Sequence, residues 1–224
     1  MMIKLYYVEK GEGEPLILLH GNGESNEIFS KQIEGFEKHY KVIAPDTRGH
    51  GKTPRGEKPF TLNQFADDLY DFMLEHKIEK AHILGFSDGG NIALLFALKH
   101  PEKINKLILN SANYNPNGLK EFFNFTLKIR YLLLKLGKSS EKKNQKNEFL
   151  SLMINEPDIS EEELKSINVP TLVIAGKKDL IKKKHTEKIA ELIPDSKLVF
   201  INGNHAAARI NPKEFNREVL AFLK

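Results

Sequence analysis

Apolar residues along this chain follow two patterns that alternate from one end to the other. Continuous apolar runs, such as Leu-Ile-Leu-Leu at 16–19, are typical of strands buried on both faces of a parallel sheet. Between these runs, apolar residues recur at helical spacing, as they do over 28–36. The predicted strands are residues 3–9, 16–19, 41–44, 81–84, 106–110, 171–175 and 197–201, and the predicted helices are 26–39, 61–75, 92–98, 183–192 and 212–223. This alternation predicts an α/β fold with a mostly parallel sheet flanked by helices.

The alternation is interrupted between residues 113 and 168, where no strand pattern occurs. The interval predicts an apolar helical stretch at 119–136, a basic turn at 138–147 and two further helices at 148–155 and 161–165. We interpret it as a small helical cap inserted before the last two strands. The chain then divides into a core of residues 1–112 and 169–224 and a cap of residues 113–168. We expect the apolar stripe of 122–136 to pack the cap onto the core or to roof a substrate pocket.

Composition narrows the classes of protein that this chain can be. A length of 224 residues suits one domain with a small insertion. The 34 basic and 30 acidic residues are interspersed, so the net charge of +4 does not favour a nucleic-acid partner. Cysteine is absent, which excludes disulfides and thiolate chemistry. With no signal-type or membrane-spanning apolar run in the sequence, we expect a cytoplasmic protein without a membrane partner.

The most informative stretch is residues 80–98, which reads K-A-H-I-L-G-F-S-D-G-G-N-I-A-L-L-F-A-L. A predicted strand and a predicted helix flank G-x-S-x-G, and that context indicates a nucleophile elbow with Ser87 at its tip. A serine at such a turn adopts strained backbone angles, and its neighbours need to be nearly free of side chains. Gly85, Gly89 and Gly90 meet this need.

Other motifs follow the ends of predicted strands. They are H-G-N-G at 20–23, D-T-R-G-H-G at 46–51, G-K-K-D at 176–179 and N-G-N-H at 202–205. With these motifs and the elbow in the order nucleophile, acid and histidine, the chain resembles the α/β-hydrolase family. The resemblance covers about residues 15–112 and 169–224 and implies the α/β-hydrolase fold.

The resemblance implies a catalytic triad of Ser87, His205 and Asp179. His205 follows the last predicted strand in a loop of glycine and asparagine, from which an imidazole can reach the serine across the top of the sheet. Asp179 would hold that imidazole in one tautomer and stabilise its protonated form. The family's alternative acid position, after the strand at 106–110, contains no carboxylate, which favours Asp179.

The resemblance also implies an oxyanion hole made by the backbone N–H groups of Asn22 and Asp88. The Asn22 side chain could supply a further donor or stabilise its own turn. We expect the 46–51 motif to be structural, with Arg48 paired to nearby carboxylates. A triad and an oxyanion hole suffice for ester hydrolysis, so no metal or organic cofactor is predicted.

Serine at position 87 predicts acyl transfer through an acyl-enzyme with water as the usual acceptor, and it argues against the family branches that use a carboxylate nucleophile. We expect a carboxylesterase-like serine hydrolase whose small-molecule substrate is a small to medium ester. The same residues are compatible with a carbon–carbon bond hydrolase, a thioesterase or an acyltransferase, and with a non-enzymatic ligand receptor built on the fold. The oligomeric state cannot be read from the sequence.

Asp88 is the unusual residue of the elbow. Its carboxylate lies near the expected pocket floor, where it could bind a cationic group such as the amine of an amino-acid ester. S-D-G-G, together with A-N-Y at 112–114, is similar to the valacyclovir-hydrolase-like (biphenyl hydrolase-like) branch, and the resemblance implies such substrates. The alternative is a structural carboxylate satisfied by the amides and dipole of the helix N-terminus.

Overall fold

A seven-stranded sheet forms the centre of the computed structural model, which describes residues 3–136 and 140–224. The strands are β1 (Tyr7–Lys10), β2 (Pro15–Leu19), β3 (Lys41–Pro45), β4 (Ala81–Phe86), β5 (Ile104–Asn110), β6 (Thr171–Gly176) and β7 (Ser196–Ile201). Their order across the sheet is β1-β3-β2-β4-β5-β6-β7. The edge strand β1 pairs antiparallel with β3, and each other described pair of neighbours is parallel. The prediction of a mostly parallel sheet is therefore confirmed.

Helices cover both faces of this sheet. They are α1 (Ser30–Phe36), α2 (Leu62–Glu75), α3 (Asp88–Lys99), α4 (Glu121–Lys135), α5 (Glu141–Asn155), α6 (Glu161–Ser166), α7 (Lys183–Leu192), α8 (Ala207–Ile210) and α9 (Pro212–Leu223). One apolar cluster joins α2, α3 and α7 to the sheet, and a second joins α1 and α9 to the opposite face. Among the described residues, no helix combines the length and apolar character needed to cross a membrane.

Burial on both faces explains why the central strands read as continuous apolar runs. All six residues of β4 and all six of β6 are buried. Because these strands are parallel, their carboxyl ends meet at one edge of the sheet. That edge carries the loops that follow β2, β4, β5, β6 and β7, and it is where the predicted site residues converge.

The loop after β3 is held by a buried ion pair. The Arg48 guanidinium donates to both carboxylate oxygens of Asp68 in α2, with Nε–Oδ2 and Nη2–Oδ1 distances of 2.7 and 2.6 Å. Both side chains are 1% exposed. In the same loop, Asp46 accepts hydrogen bonds from the amides of Asn26 and Lys52. The structural role predicted for the 46–51 motif is confirmed.

Several predicted boundaries are wrong, and two of them bear on the edge strand and the cap interval. The first strand begins at Tyr7 rather than at residue 3. The helix predicted at 148–155 begins at Glu141, so residues 141–147 of the predicted turn are helical, whereas positions 138 and 139 lie outside the described residues. Ser140 caps the N-terminus of this helix, because its side chain accepts a hydrogen bond from the Lys143 amide. The added turns are rich in lysine, glutamate and glutamine, which favour helix without an apolar face.

The described part of the interval between β5 and β6 contains α4, α5 and α6 and no strand of the sheet. Helices α4 and α5 pack against each other through an apolar cluster that includes Leu127 and Leu150. The apolar stripe of α4 does not face inward along its whole length, because several of its large apolar side chains are exposed. The division into core and cap at 113 and 168 stays a prediction.

Candidate active site

The turn between β4 and α3 gives Ser87 its position. Ser87 has φ 53° and ψ −120°, a left-handed conformation that a residue with a side chain rarely adopts. The backbone around it is too close for larger neighbours. A Cβ at Gly85 would collide with the Gly89 carbonyl oxygen, and one at Gly89 would collide with the Leu19 carbonyl oxygen. The strained, glycine-lined turn predicted for the elbow is thus present.

Two further loops bring His205 and Asp179 to Ser87. The Ser87 Oγ lies 3.0 Å from the His205 Nε2, and the His205 Nδ1 lies 2.7 Å from the Asp179 Oδ1. Asp179 follows β6 and His205 follows β7, so three parallel strand ends supply the three side chains. The structure therefore brings together all three residues predicted as a triad.

Asp179 is buried and hydrogen bonded on both carboxylate oxygens. The Ser111 Oγ donates to Oδ2 at 2.6 Å, and the Ile181 amide donates to Oδ1 at 3.0 Å. Burial disfavours the charged carboxylate, but the hydrogen bonds from His205 and Ser111 and the charge of His205 outweigh it and hold the Asp179 pKa below its ordinary value. An ionised Asp179 can accept a hydrogen bond from the Nδ1–H group of His205, and in that tautomer the unprotonated Nε2 faces the serine.

The Asn22 and Asp88 residues of the predicted oxyanion hole both line the same cavity as Ser87. Among the described residues, neither backbone amide donates to a protein acceptor. The side chain of Asn22 is engaged, because its Nδ2 donates to the Asp88 Oδ2 at 2.7 Å and to the Phe149 carbonyl at 3.0 Å. Both N–H groups of that amide are thus used, and the side chain links the elbow to α5.

Asp88 lies in a network of amide side chains. Its Oδ1 accepts a hydrogen bond of 3.2 Å from Asn91, which in turn donates to Asn113 at 3.1 Å. Burial raises the pKa of Asp88 to about 6, although the hydrogen bonds from Asn22 and Asn91 and the charge of His205 act to lower it. Its carboxylate is satisfied mainly by side-chain amides, so the expectation that backbone amides satisfy it is not what the structure shows.

His20 and Thr47 support the loop that carries Asn22. The Thr47 amide donates to the His20 Nε2 at 3.0 Å, so the opposite ring nitrogen carries the proton, and it lies 2.8 Å from the Gly21 carbonyl. Burial lowers the pKa of His20, which keeps the ring neutral in this arrangement.

A cavity of about 620 Å³ opens beside Ser87. Its walls include apolar side chains from the 113–168 interval and charged ones from both parts of the chain. They are Leu119, Lys120, Phe123, Met153, Glu156, Glu24, Lys178 and Arg209. Within the described residues, no group of three or more His, Asp or Glu side chains is arranged to hold a metal ion.

A family model described as the alpha/beta hydrolase fold matches residues 14–135, which is more than half of the chain. The chain belongs to the α/β-hydrolase family. Serine hydrolase BPHL of Mus musculus is 29% identical to it, over 99% of this chain and 84% of the relative. The 2-hydroxy-6-oxo-6-(2'-aminophenyl)hexa-2,4-dienoic acid hydrolase of Metapseudomonas resinovorans is 27% identical, over 99% and 88%. The structure of a meta-cleavage product hydrolase from Pseudomonas fluorescens IP01 superposes with a TM-score of 0.81 at 26% identity, over 99% and 94%.

Within this α/β-hydrolase, the sequence did not predict which side chains surround the site residues. Ser111, the hydrogen-bond donor to Asp179, lies directly after the strand at 106–110, where the sequence contains no carboxylate. Its place at the end of β5, beside β6, was a usable signal because parallel neighbours end at the same edge. Asn91 lies three residues after Asp88 on one helix, a spacing that places two side chains together. Phe149 reaches the site from a separate helix, and no sequence pattern pointed to it.

Proposed function

We propose that this α/β-hydrolase is a serine hydrolase that cleaves a small to medium ester through an acyl-enzyme on Ser87. The observation that carries the proposal is the continuous hydrogen-bonded path from the Ser87 Oγ through His205 to Asp179, with distances of 3.0 and 2.7 Å. A serine hydroxyl at its ordinary acidity is a weak nucleophile and needs a base within hydrogen-bonding reach. His205 meets that geometric requirement.

In the proposed reaction, His205 takes the Ser87 proton on Nε2 as the serine oxygen attacks the ester carbonyl carbon. The carbonyl oxygen becomes an oxyanion that the Asn22 and Asp88 amides stabilise, and such a donor is worth about 2.7–4 kcal/mol in a transition state. His205 then gives its proton to the leaving alcohol as the ester bond breaks. Water repeats the sequence on the acyl-enzyme, and it releases the acid and restores Ser87.

Asp179 would act on the imidazole and not on the substrate. It accepts a hydrogen bond from the Nδ1–H group and stabilises the imidazolium that forms twice in each turnover. Its lowered pKa supports this role, because the carboxylate stays charged at the pH where the histidine accepts a proton.

Substrate size follows from the cavity and its roof. A volume of about 620 Å³ suits a small to medium molecule. We propose that residues 113–168 act as the cap over this cavity, since Leu119, Phe123, Met153 and Glu156 line it. The apolar members of this set suit a hydrocarbon acyl or alcohol group.

We propose further that Asp88 binds a cationic group of the substrate, such as an α-amine. It lines the cavity beside Ser87, and it is charged above a pH of about 6. A second carboxylate, Glu156, lines the same cavity, and burial, with a smaller contribution from the charge of Asp88, raises its pKa. Two neighbouring carboxylates make this wall attractive to a cation.

The ester proposal is tested by the burst and steady-state hydrolysis of short p-nitrophenyl esters, with wild type beside Ser87→Ala. We expect a burst of one product equivalent per site and a loss of turnover of at least about 10⁴-fold in the variant. Circular dichroism and thermal unfolding check that the variant is folded. Turnover that survives in folded Ser87→Ala would contradict the proposal.

The Asp88 proposal needs an α-amino ester and its des-amino analogue with the same chain and leaving group. We expect wild type to prefer the amino ester, and Asp88→Asn to lower that preference about tenfold or more by removing a charged partner. In wild type the preference should fall as the pH drops through about 6, because Asp88 then becomes neutral. Equal rates on the two esters in wild type would exclude the pairing.

Carbon–carbon bond hydrolysis is the second candidate function, and the Metapseudomonas resinovorans relative favours it. The named substrate of that relative contains no ester, so its hydrolysis breaks a carbon–carbon bond. The test is turnover of an aromatic dienoic diketone acid beside the p-nitrophenyl esters. A much higher kcat/KM on the diketone, lost in Ser87→Ala, would move the assignment to this function.

A further inference from the structure

Helix α4 is apolar on two opposite faces, and only one of them is covered. The inner face packs against α5 and the cavity through Leu127, which is buried, and through the partly buried Phe123, Tyr131 and Leu134. The outer face is left uncovered by the described part of the chain. Its side chains are Phe122, Phe125, Ile129, Leu132, Leu133 and Leu136, with exposed fractions of 82, 62, 40, 62, 61 and 71%.

The six outer side chains form one continuous stripe. At about 100° per residue, their positions fall within about 100° of the helix circumference and lie opposite the inner face. Apolar side chains scattered singly on a surface are ordinary, but a contiguous patch of this kind indicates an interaction site. We call these six residues the outer stripe.

Positive charge is concentrated beside the outer stripe. Residues 120–148 contain eight Lys or Arg and three Asp or Glu, whereas the rest of the chain contains 26 and 27. The excess positive charge of the protein therefore lies in this segment. Lys128, Arg130 and Lys135 on α4, and Lys142 and Lys146 on α5, are exposed.

We propose that the outer stripe and its basic flanks form a docking surface for an anionic lipid bilayer. Phenylalanine and leucine on one face with lysine and arginine beside them are the combination that holds a helix at the headgroup level of negatively charged membranes. The helix would lie in the interface and not cross it. Such docking departs from the expectation of no membrane partner, which rests on the sequence alone, because the sequence does not show that the stripe is exposed.

A second copy of the chain is the alternative occupant of the outer stripe, and charge argues against it. Two copies that paired through α4 would bring two segments of strong positive charge together. An anionic surface instead gains from the same charges, in proportion to their number and with a dependence on salt. The observations therefore favour the bilayer.

Docking of this kind would place the active-site cavity near the headgroups. Phe123, on the inner face of α4, lines the cavity, and Phe122 beside it belongs to the outer stripe. The separation is about one helix diameter, roughly 10 Å. Substrates that partition into the interface would then be concentrated close to the cavity.

Co-sedimentation of the full chain with vesicles tests the proposal without reference to any enzymatic activity. The vesicles are phosphatidylcholine alone and phosphatidylcholine with phosphatidylglycerol, each at low and at raised salt. We expect binding to the anionic vesicles that is at least about tenfold stronger than to the neutral ones and that weakens as salt is added.

Two variants and one control identify the surface. The triple variant Phe122→Gln, Phe125→Gln and Leu132→Gln should weaken binding by at least about tenfold, and Lys128→Glu with Lys142→Glu and Lys146→Glu should remove the preference for anionic vesicles. Leu74→Gln changes an exposed leucine on α2, 48% exposed, and should bind as wild type does. Circular dichroism and thermal unfolding establish that the variants are folded.

Three results would overturn the proposal. Two concern wild type, which would fail to sediment with anionic vesicles or would bind neutral vesicles equally well. The third is a glutamine variant, with Phe122, Phe125 and Leu132 replaced, that binds as tightly as wild type. Light scattering of the lipid-free protein provides a fourth result. If wild type is a dimer and the glutamine variant is a monomer, the outer stripe belongs to contacts with a second copy of the chain.

Discussion

Side chains at the carboxyl edge of the sheet find more of their partners within the chain than do those of the helices between β5 and β6. At the sheet edge, Asp179 and Asp88 each have hydrogen-bond partners on both carboxylate oxygens. On α4, a stripe of large apolar side chains is exposed. The geometry of the site is thus held by hydrogen bonds within the chain, whereas the outer stripe of α4 is left free for the bilayer contact that we propose.

The buried ion pair of Arg48 and Asp68 gives the largest expected change in stability. Arg48→Met leaves the Asp68 carboxylate buried and unpaired, which should lower the free energy of unfolding by about 3–5 kcal/mol. Urea denaturation monitored by circular dichroism measures the change. Lys31→Met, in an exposed pair with Glu34, is the matched control and should cost less than about 1 kcal/mol. Equal losses in the two variants would show that the buried ion pair contributes no more to stability than the exposed one.

Two leucines on α4 test the difference between its faces within one helix. Leu127 is 3% exposed and Leu132 is 62% exposed. Leu127→Ala should cost about 2–5 kcal/mol of unfolding free energy because it opens a cavity, whereas Leu132→Ala should stay within about 0.5 kcal/mol. Urea denaturation of both variants measures the two changes in unfolding free energy. A large loss for Leu132→Ala would mean that the outer stripe is packed in the lipid-free protein.

Ser111 tests how closely the site is held together at the sheet edge. Ser111→Ala removes the 2.6 Å hydrogen bond to the Asp179 Oδ2. The acid would be held less firmly, and we expect kcat to fall about tenfold with KM little changed. Steady-state ester hydrolysis measures both constants, and Ser111→Thr, which keeps a hydroxyl, is the informative comparison. A change in KM alone would indicate a different role.

His185 connects the two regions, and its effect on stability appears as the pH falls. Its ring stacks on Tyr114 with centroids 4.1 Å apart, and its Nε2 accepts from the Tyr114 amide. Burial and the Lys182 charge lower its pKa to about 4, so between pH 6.5 and 4 only the unfolded chain binds this proton. Stability due to this group therefore falls as the pH drops through that window.

His185→Gln should remove this contribution. We expect its loss of unfolding free energy between pH 7 and pH 5 to be about 2 kcal/mol smaller than that of wild type. Denaturation curves at the two pH values measure the difference. Parallel losses in wild type and variant would show that His185 is not held neutral by the fold.

Sequence patterns predicted the sheet and the converging residues well, because these depend on local rules. A strand buried on both faces must be apolar throughout, so the strands could be predicted, and the resemblance to the α/β-hydrolase family implied that Ser87, Asp179 and His205 meet where the parallel strands end. The exposure of Phe122 and Leu136 could not be predicted, because spacing shows that a helix has an apolar face and not what covers it. The start of α5 was missed because its first turns are polar and their helical order comes from the Ser140 cap.

The central claim is that Ser87 carries the acyl group during turnover, and mass spectrometry tests it most directly. The reaction with a p-nitrophenyl ester is quenched with acid during the burst, and the protein is digested. The mass of the peptide containing Ser87 is then measured. The account predicts the added mass of the acyl group on this peptide in wild type and none in Ser87→Ala. Turnover by wild type with no acyl group on Ser87, or with the acyl group on another residue, would contradict it.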